Sequence, residues 1–322
     1  MYTKISFLSI LMVLAITFSS CKKDKKKDDV PNPTTTDQTY SSMVDFYNKN
    51  GAKLQTYQIN ASTGGSFTSP KGTVVTIPAN CFVDASDNNV SGTVTIQFKD
   101  IYSKSDMLLS DIGTTFFDGA PMVSGGEFFI NALLGDSALQ IDAGKFIAIE
   151  QPFNNGAVKD LDMEAMILND PRDTIQGGGN IEGWSISPGN SLLYTATSYV
   201  FNLYAFSGTN GAGTWCNSDN PYYFQAYTNT TLTVNAVAGY TLDVFLVFKN
   251  VNSMVHVYSD GTNYPYAYSP VGLECTVVVL AVKDDKLYSS FTPVTITSNL
   301  TINPSLTETT TDAFKTVLNS LN

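Results

Sequence analysis

Residues 64–98, GGSFTSPKGTVVTIPANCFVDASDNNVSGTVTIQF, contain the clearest strand pattern in this chain of 322 residues. Near the end of the stretch, Val94, Ile96 and Phe98 alternate with polar residues, which is the pattern of a strand buried on one face. The Asp-Asn-Asn run at residues 87–89 precedes this strand and has the chemistry of a tight turn. The stretch therefore predicts short strands connected by tight turns.

Strand patterns continue along most of the chain. Further strands are predicted where apolar residues alternate or run together, at residues 75–77, 128–130, 147–149, 199–205, 232–236, 242–248, 275–282 and 294–296. The runs at 242–248 and 275–282 are apolar on both faces, which indicates strands that are covered on both sides. Apolar residues have helical spacing at 41–50 and 309–322. We therefore predict an all-β chain with short helices at these two places.

The chain is too long for one small core, and its composition divides it into segments. Residues 171–190 are rich in Gly, Pro, Asn and Asp, which is typical of a loop or a domain boundary. The fold prediction is two β-sandwich domains in tandem. The predicted segments are a signal peptide (1–20), a disordered tether that ends in a short helix (21–53), an N-terminal β-sandwich domain (54–155), a connecting segment (156–195) and a C-terminal β-sandwich domain with a terminal helix (196–322).

The amino terminus has the features of a bacterial export signal. Lys4 supplies a positive charge, and residues 5–18 are mostly apolar but fewer than the roughly 20 residues of a spanning helix. Ser19 and Ser20 precede Cys21, which resembles the lipobox at which bacterial lipoprotein precursors are cleaved and acylated. We therefore predict that palmitate-type acyl chains on Cys21 hold the mature protein on a membrane. An ordinary secretory signal followed by a chance cysteine is the alternative.

The predicted tether begins with KKDKKKDD at residues 22–29 and continues with a run rich in Pro and Thr. It offers almost nothing apolar to bury, which favours disorder. Lys27-Asp28-Asp29 resembles the signal that directs Bacteroidetes-type lipoproteins to the outside of the outer membrane. The resemblance implies display on the cell surface. A periplasm-facing position is the alternative. For the lysine run itself, simple solvation or attraction to anionic lipid headgroups is the alternative interpretation.

Charge and cysteine count argue against two classes of protein. The formal net charge is −11, so the chain as a whole repels nucleic acid. After lipidation of Cys21 an odd number of cysteines remains, which permits at most one internal disulfide and so argues against a disulfide framework. Cys216 and Cys275 are the candidate pair, and buried free thiols are the alternative.

Residues 64–98 also carry a family resemblance. They resemble the β-sandwich domain shared by ankyrins, netrin receptors and zonula occludens proteins, and more closely its relatives in Bacteroidetes lipoproteins of unknown function. The matching residues are the glycines, prolines and apolar positions Gly64, Gly65, Pro70, Gly72, Ile77, Pro78, Phe82 and Gly92. The resemblance covers residues 54–153, and TWCNSDNPYYF at 214–224 is similar to the second half of those lipoproteins. It implies a non-enzymatic scaffold or interaction module.

The sequence predicts no catalytic, metal or cofactor site. A Ser-His-Asp triad would depend on His256 alone, and this single histidine is expected on an exposed strand face. Asp160, Asp162 and Glu164 alternate on one predicted strand face. Such carboxylates can act in acid–base catalysis or simply form a solvated surface, and the solvated surface is the favoured interpretation. Asp84 and its neighbours do not match a calcium-loop motif and are expected to form a hairpin turn.

Aromatic residues in loop-like surroundings are the candidate ligand-binding residues: Trp215, Tyr222, Tyr223, Tyr264 and Tyr266. Exposed rings stack on sugars or anchor protein partners, and core packing is the alternative role. Two short motifs, Asp-Ser-Ala and Asp-Thr-Ile, resemble the O-glycosylation signal of Bacteroidetes and make Ser137 and Thr174 candidate acceptors.

Together these features predict a lipid-anchored cell-envelope protein that acts as a non-enzymatic binding or structural module. Its expected partners are the membrane, through the lipid, and an envelope protein or a glycan, without nucleic acid or a cofactor. A carbohydrate-binding accessory of a surface uptake system is the first alternative, and a hydrolase that uses carboxylates is the second.

Overall fold

The structure is a computed structural model that describes residues 38–153, 160–168, 183–207 and 213–322. The predicted signal peptide, Cys21, Thr174 and most of the predicted tether lie outside the described residues. Within them the chain is mostly strand with three short helices, which confirms the all-β prediction. None of the described helices is long and apolar enough to cross a membrane.

The described strands are mostly short. In chain order the first eleven are β1 (Gln55–Asn60), β2 (Gly65–Thr68), β3 (Val74–Ile77), β4 (Phe82–Val83), β5 (Thr93–Ile101), β6 (Val123–Leu134), β7 (Ser137–Ala138), β8 (Gln140–Ile141), β9 (Ile147–Pro152), β10 (Glu164–Leu168) and β11 (Trp184–Ile186). The others are β12 (Ser191–Tyr194), β13 (Ser198–Leu203), β14 (Thr214–Asn220), β15 (Asn229–Asn235), β16 (Asp243–Phe248), β17 (Met254–Val257), β18 (Asn263–Pro270), β19 (Glu274–Lys283), β20 (Lys286–Thr295), β21 (Thr301–Ile302) and β22 (Thr307–Thr309). The helices are α1 (Met43–Asn50), α2 (Lys104–Leu109) and α3 (Thr311–Asn319).

Two sheets form a first sandwich around a hydrophobic first core. One sheet has seven strands, in the order β1-β5-β6-β14-β10-β11 with β7 paired to β6, and the other has five, in the order β12-β13-β9-β3-β2. Val94, Ile96 and Phe98 of β5 join this core with Phe128 of β6 and Ile149 of β9. The alternation of β5 is thus explained by burial of one of its faces between the two sheets.

Two further sheets form a second sandwich around a second core. The larger has the order β17-β16-β19-β20-β22, and the smaller has the order β18-β15-β21, in which β15 and β21 are parallel. Val244, Leu246 and Val277 of the larger sheet share the second core with Leu232 and Val234 of the smaller. β4 and β8 form a separate two-stranded pair.

A third core joins the two sandwiches. Phe129 and Trp215 enter it from the seven-stranded sheet, and Phe245 enters it from the larger sheet of the second sandwich. Helices α1 and α3 also contribute, and the rings of Phe46 and Phe314 lie 5.9 Å apart. This arrangement explains the strands that are apolar on both faces, since β16 and β19 contribute side chains to the second core and to the third.

The sheets do not follow the predicted domain boundaries. β11 and β12 lie in the predicted connecting segment (156–195), and β13 and β14 lie in the predicted C-terminal domain (196–322), yet all four are strands of the first sandwich. The first sandwich therefore extends to Asn220. Periodicity in a sequence identifies a strand but not its partner, which depends on long-range packing.

The two predicted terminal helices are present, but α1 is not the end of a tether. Ser42 caps α1 by accepting a hydrogen bond from the backbone N–H of Asp45, and Gly51 follows its last residue. Phe46 and Tyr47 are buried in the third core. Residues 38–53 therefore belong to the folded body, where α1 lies against α3.

Candidate functional site

A cleft of about 1000 Å³ lies between the two sandwiches. Its lining comes from both sandwiches and from the ends of α2 and α3, and it includes Ser124, Met163, Val247, Thr276 and Leu321. Apolar side chains and hydroxyl groups therefore share the same walls. A concave site of this size and mixed polarity is typical of a ligand-binding protein.

The loop between β16 and β17 fastens the two walls of the cleft together. The side-chain amide of Asn252 donates hydrogen bonds to the carbonyl oxygens of Tyr102 and Ser124, at 2.9 and 2.8 Å. The backbone N–H of Ser124 donates to the carbonyl oxygen of Asn252 at 2.8 Å. Because these bonds run from the second sandwich to the first, they fix the position of one wall of the cleft relative to the other.

Lys104 is a buried cation in this cleft. It is the first residue of α2, after the cap Ser103, and only 5% of it is exposed. Its ammonium group donates to the carbonyl oxygen of Phe248 at 2.8 Å. Burial lowers the pKa of the amine to about 8. Among the described residues no carboxylate forms an ion pair with it.

The other charged groups of the cleft have partners. Lys249 and Glu274 form an exposed ion pair with a distance of 2.9 Å. The carboxylate of Asp160 accepts hydrogen bonds from the side chain of Asn220 at 2.7 Å and from the backbone N–H of Asp162 at 3.0 Å. Lys104 is therefore the buried charged side chain of the cleft lining, and it has no partner of opposite charge among the described residues.

The acidic residues Asp160, Asp162 and Glu164 do not share one strand face, contrary to the sequence expectation. β10 begins at Glu164, whereas Asp160 and Asp162 belong to the turn before it. The hydroxyl of Tyr222 donates to Glu164 at 3.4 Å. Each of the two carboxylates that accept these bonds, Asp160 and Glu164, is therefore tied to a local hydrogen-bond donor.

Two fully buried carboxyl groups lie on neighbouring strands of the seven-stranded sheet. Glu127 of β6 is directly opposite Asn217 of β14, whose side chain donates to Asp219 at 2.7 Å. Both carboxyl oxygens of Glu127 and one of Asp219 have no hydrogen-bond partner among the described residues. Burial, followed by repulsion from Asp219, raises the pKa of Glu127 well above its usual range, and burial does the same for the pKa of Asp219. Each of these carboxyl groups therefore keeps its proton to a higher pH in the folded protein than in the unfolded chain.

The predicted aromatic patch is divided by the structure. Tyr222 and Tyr223 are 44% and 36% exposed, and Tyr223 lines the cleft. Trp215 is fully buried in the third core, because its strand β14 is central and covered on both faces. Tyr264 and Tyr266 are buried in the second core, and the hydroxyl of Tyr266 donates to the carbonyl oxygen of Gly119 at 2.8 Å. These three rings are core residues, and the ligand-binding prediction for them is wrong.

His256 does not lie on an exposed face. Its Nδ1 atom is 2.8 Å from the carboxylate of Asp111, and only 11% of its side chain is exposed. Burial disfavours the imidazolium form, but the carboxylates of Asp111 and Asp243 together outweigh this effect and raise the pKa of His256. The sequence expectation is wrong here because α1 and α2 help to cover this side of the sheet with the third core. The pair links the end of α2 to β17.

The three described cysteines are buried, and none of them forms a disulfide. Cys216 lies in the first core and Cys275 in the second, so the candidate disulfide between them is not formed. Burial raises the pKa of Cys81 and of Cys275 to about 12, so neither thiol ionises at neutral pH.

Ser137, the described candidate for O-glycosylation, is exposed at the start of β7, directly after a turn. Asp84 forms the predicted hairpin turn, since its carboxylate accepts hydrogen bonds from the backbone N–H groups of Ser86 and Asn88. Within the described ranges, no group of three or more His, Cys, Asp or Glu residues is arranged to hold a metal ion.

Comparison of the chain with protein-family models, with curated proteins and with solved structures finds no match. The resemblance of residues 54–153 to a β-sandwich family therefore stays a prediction from the sequence. Any functional conclusion depends on the geometry of the site itself.

Proposed function

We propose that this chain is a lipid-anchored cell-envelope protein that acts as a non-enzymatic binding module and holds its ligand in the cleft between the two sandwiches. The cleft is the observation that supports this proposal. It is concave, its walls are fixed relative to each other by the bonds of Asn252, and it is lined by apolar groups with a few polar ones. The predicted export signal and the lipobox-like position of Cys21 support the anchoring.

The cleft can be tested by filling it. Thr295 is exposed at the end of β20 and lines the cleft, so Thr295→Trp should block it without disturbing a core. Thr307 is exposed on the edge strand β22 and does not line the cleft, so Thr307→Trp is the matched control. Neutral sugars, acidic sugars, amphiphilic anions and short peptides would be screened by thermal shift, and binding would be measured by calorimetry.

We expect a ligand that raises the melting temperature of the wild type and of Thr307→Trp but not of Thr295→Trp. A ligand that binds Thr295→Trp as tightly as the wild type would contradict the assignment of the cleft. Failure of every class to stabilise the wild type would count against a binding function.

A carbohydrate-binding accessory is the second candidate, and the exposed rings of Tyr222 and Tyr223 favour it. Tyr223 stands at the cleft and Tyr222 is beside Glu164, so a sugar ring could stack on an aromatic face and donate hydrogen bonds to a carboxylate. On a glycan array, Tyr223→Ala should lose the signal of the wild type. Silence of the wild type across a broad array would exclude this candidate.

Anchoring is tested by the substitution Cys21→Ser. We expect the wild type to partition into detergent and the variant to stay in the aqueous phase, because the serine hydroxyl does not accept the thioether-linked lipid. A variant that still partitions with detergent would refute lipid anchoring.

Surface display is tested by adding protease to intact cells. The displayed protein should be degraded without lysis. Protection that is lost only on lysis would place the protein on the periplasmic side.

A further inference from the structure

The charge pattern of the cleft is asymmetric. Lys104 is buried in it, while the rim pair Lys249–Glu274 is exposed and neutral as a pair. The free energy of burying an ammonium group is unfavourable unless a partner of opposite charge or several acceptors surround it. The carbonyl oxygen of Phe248 accepts one hydrogen bond from Lys104, and an ammonium group has three N–H donors.

Apolar side chains lie in the same cleft. Met163 comes from the first sandwich, Val247 and Val294 from the second, and Leu321 follows α3. A ligand that fills the cleft therefore meets apolar surface, the buried ammonium group of Lys104, and the half-buried carboxylate of Asp160, which already accepts hydrogen bonds from Asn220 and Asp162. Burial of its apolar part would supply binding free energy, and the charge would fix its orientation.

We propose that the cleft binds an amphiphilic organic anion, with its oxyanion against the ammonium group of Lys104 and its apolar body along Val247 and Leu321. This inference rests on the proposed binding function and names the class of ligand. A carboxylate held by a desolvated ammonium group makes a short, charge-assisted hydrogen bond, which is stronger than the same contact at a surface. The charged rim pair and the acidic surface favour a ligand with a single anionic group over a polyanion.

Octanoate and octan-1-ol are the matched probes, since they share an apolar chain and differ in the anionic group. Calorimetry at pH 7 should show that octanoate binds the wild type more tightly than octan-1-ol does. Lys104→Met should weaken octanoate binding by about tenfold or more, which is the usual effect of losing a hydrogen bond between charged groups. Lys286→Met is the control, because it removes an exposed, ion-paired lysine that does not line the cleft.

Lys104→Arg is the second variant, in case Lys104→Met does not fold. It keeps the charge, so it should retain most of the affinity for octanoate. The melting temperature of each variant would be measured alongside, and equal affinity of Lys104→Met and the wild type would overturn the proposal.

The pH dependence gives a readout that a purely structural lysine would not produce. The pKa of Lys104 is about 8, so at pH 9 about one tenth of the amine is charged. The dissociation constant of octanoate should rise about tenfold between pH 7 and pH 9 in the wild type and stay constant in Lys104→Met. A wild-type affinity that is independent of pH in this range would contradict the contact with Lys104.

The Thr295→Trp variant separates the two proposals. If it abolishes octanoate binding while Lys104→Met does not, the cleft is the site and the anionic class is wrong. If octanoate binds no more tightly than octan-1-ol, and Thr295→Trp does not block its binding, the ligand class is refuted. The wider screen then decides the function of the cleft alone.

Discussion

The buried carboxyl pair predicts that the protein loses stability as the pH rises. Glu127 is fully buried, and its two carboxyl oxygens have no partner among the described residues. Its folded-state pKa lies above the value of about 4.3 expected in the unfolded chain, so the folded protein binds more protons. The free energy of unfolding is therefore fully retained below that value and falls as the pH rises towards the folded-state pKa.

The size of the effect follows from proton linkage. Each group that stays protonated in the folded state and ionises in the unfolded state lowers the free energy of unfolding by about 1.4 kcal/mol per pH unit. Glu127 contributes this loss over each pH unit in which it stays protonated in the folded protein, and Asp219 contributes likewise, because burial raises both pKa values well above their usual range. The substitution Glu127→Gln removes one of these contributions and keeps the shape of the side chain.

Urea unfolding at pH 5.5, 6.5 and 7.5 measures the effect. Relative to the wild type, Glu127→Gln should gain stability with each step in pH, and Glu127→Gln combined with Asp219→Asn should gain more. Glu308→Gln is the control, since Glu308 is an exposed carboxylate paired with Lys286 on the surface. Parallel pH profiles of Glu127→Gln and the wild type would show that Glu127 is not protonated in the folded protein.

Three further predictions concern single side chains. Trp215→Ala should lower the free energy of unfolding by about 3–5 kcal/mol in urea, whereas Tyr222→Ala should have little effect, because only the first ring is buried; equal effects would contradict the third core. The pKa of His256, followed by NMR, should lie above its ordinary value and fall in Asp111→Asn. The pair with Asp111 stabilises the fold fully below the ordinary pKa of histidine, and this stabilisation is lost as the pH rises through the folded-state pKa; a free energy of unfolding with the same pH dependence in the wild type and in Asp111→Asn would contradict the pair. At pH 8 a thiol reagent should leave Cys275 unmodified until urea unfolds the protein, because its pKa is about 12, and rapid labelling of the folded protein would refute its burial.

Much of the fold could be predicted from local patterns. The alternation at Val94, Ile96 and Phe98 predicts which face of β5 is buried. The apolar spacing at residues 41–50 and the following Gly51 predict the first helix. The runs at 242–248 and 275–282, apolar on both faces, are central strands in the larger sheet of the second sandwich. These features depend on neighbours within a few residues, which a sequence displays directly.

The site could not be predicted, because it depends on contacts between distant segments. Lys104 in YSKSDML looks like an ordinary surface lysine, and its burial arises only where α2 meets the carbonyl oxygen of Phe248. His256 has no sequence signal of its link to Asp111. Glu127 is the exception, since a single acidic residue inside the apolar run GGEFFINA is a signal that sequence reasoning missed.

The late strands of the first sandwich constrain how the chain acquires its structure. β14 pairs with β6 and β13 pairs with β9, so each adds to a strand that was synthesised long before it. A nascent chain that ends near residue 155 would leave β6 and β9 with open, hydrogen-bonding edges that invite pairing with other chains. The first sandwich can form completely only after residue 220 has left the ribosome. A fragment cut at the predicted boundary would therefore be an aggregating species, and expression of this half needs the longer piece.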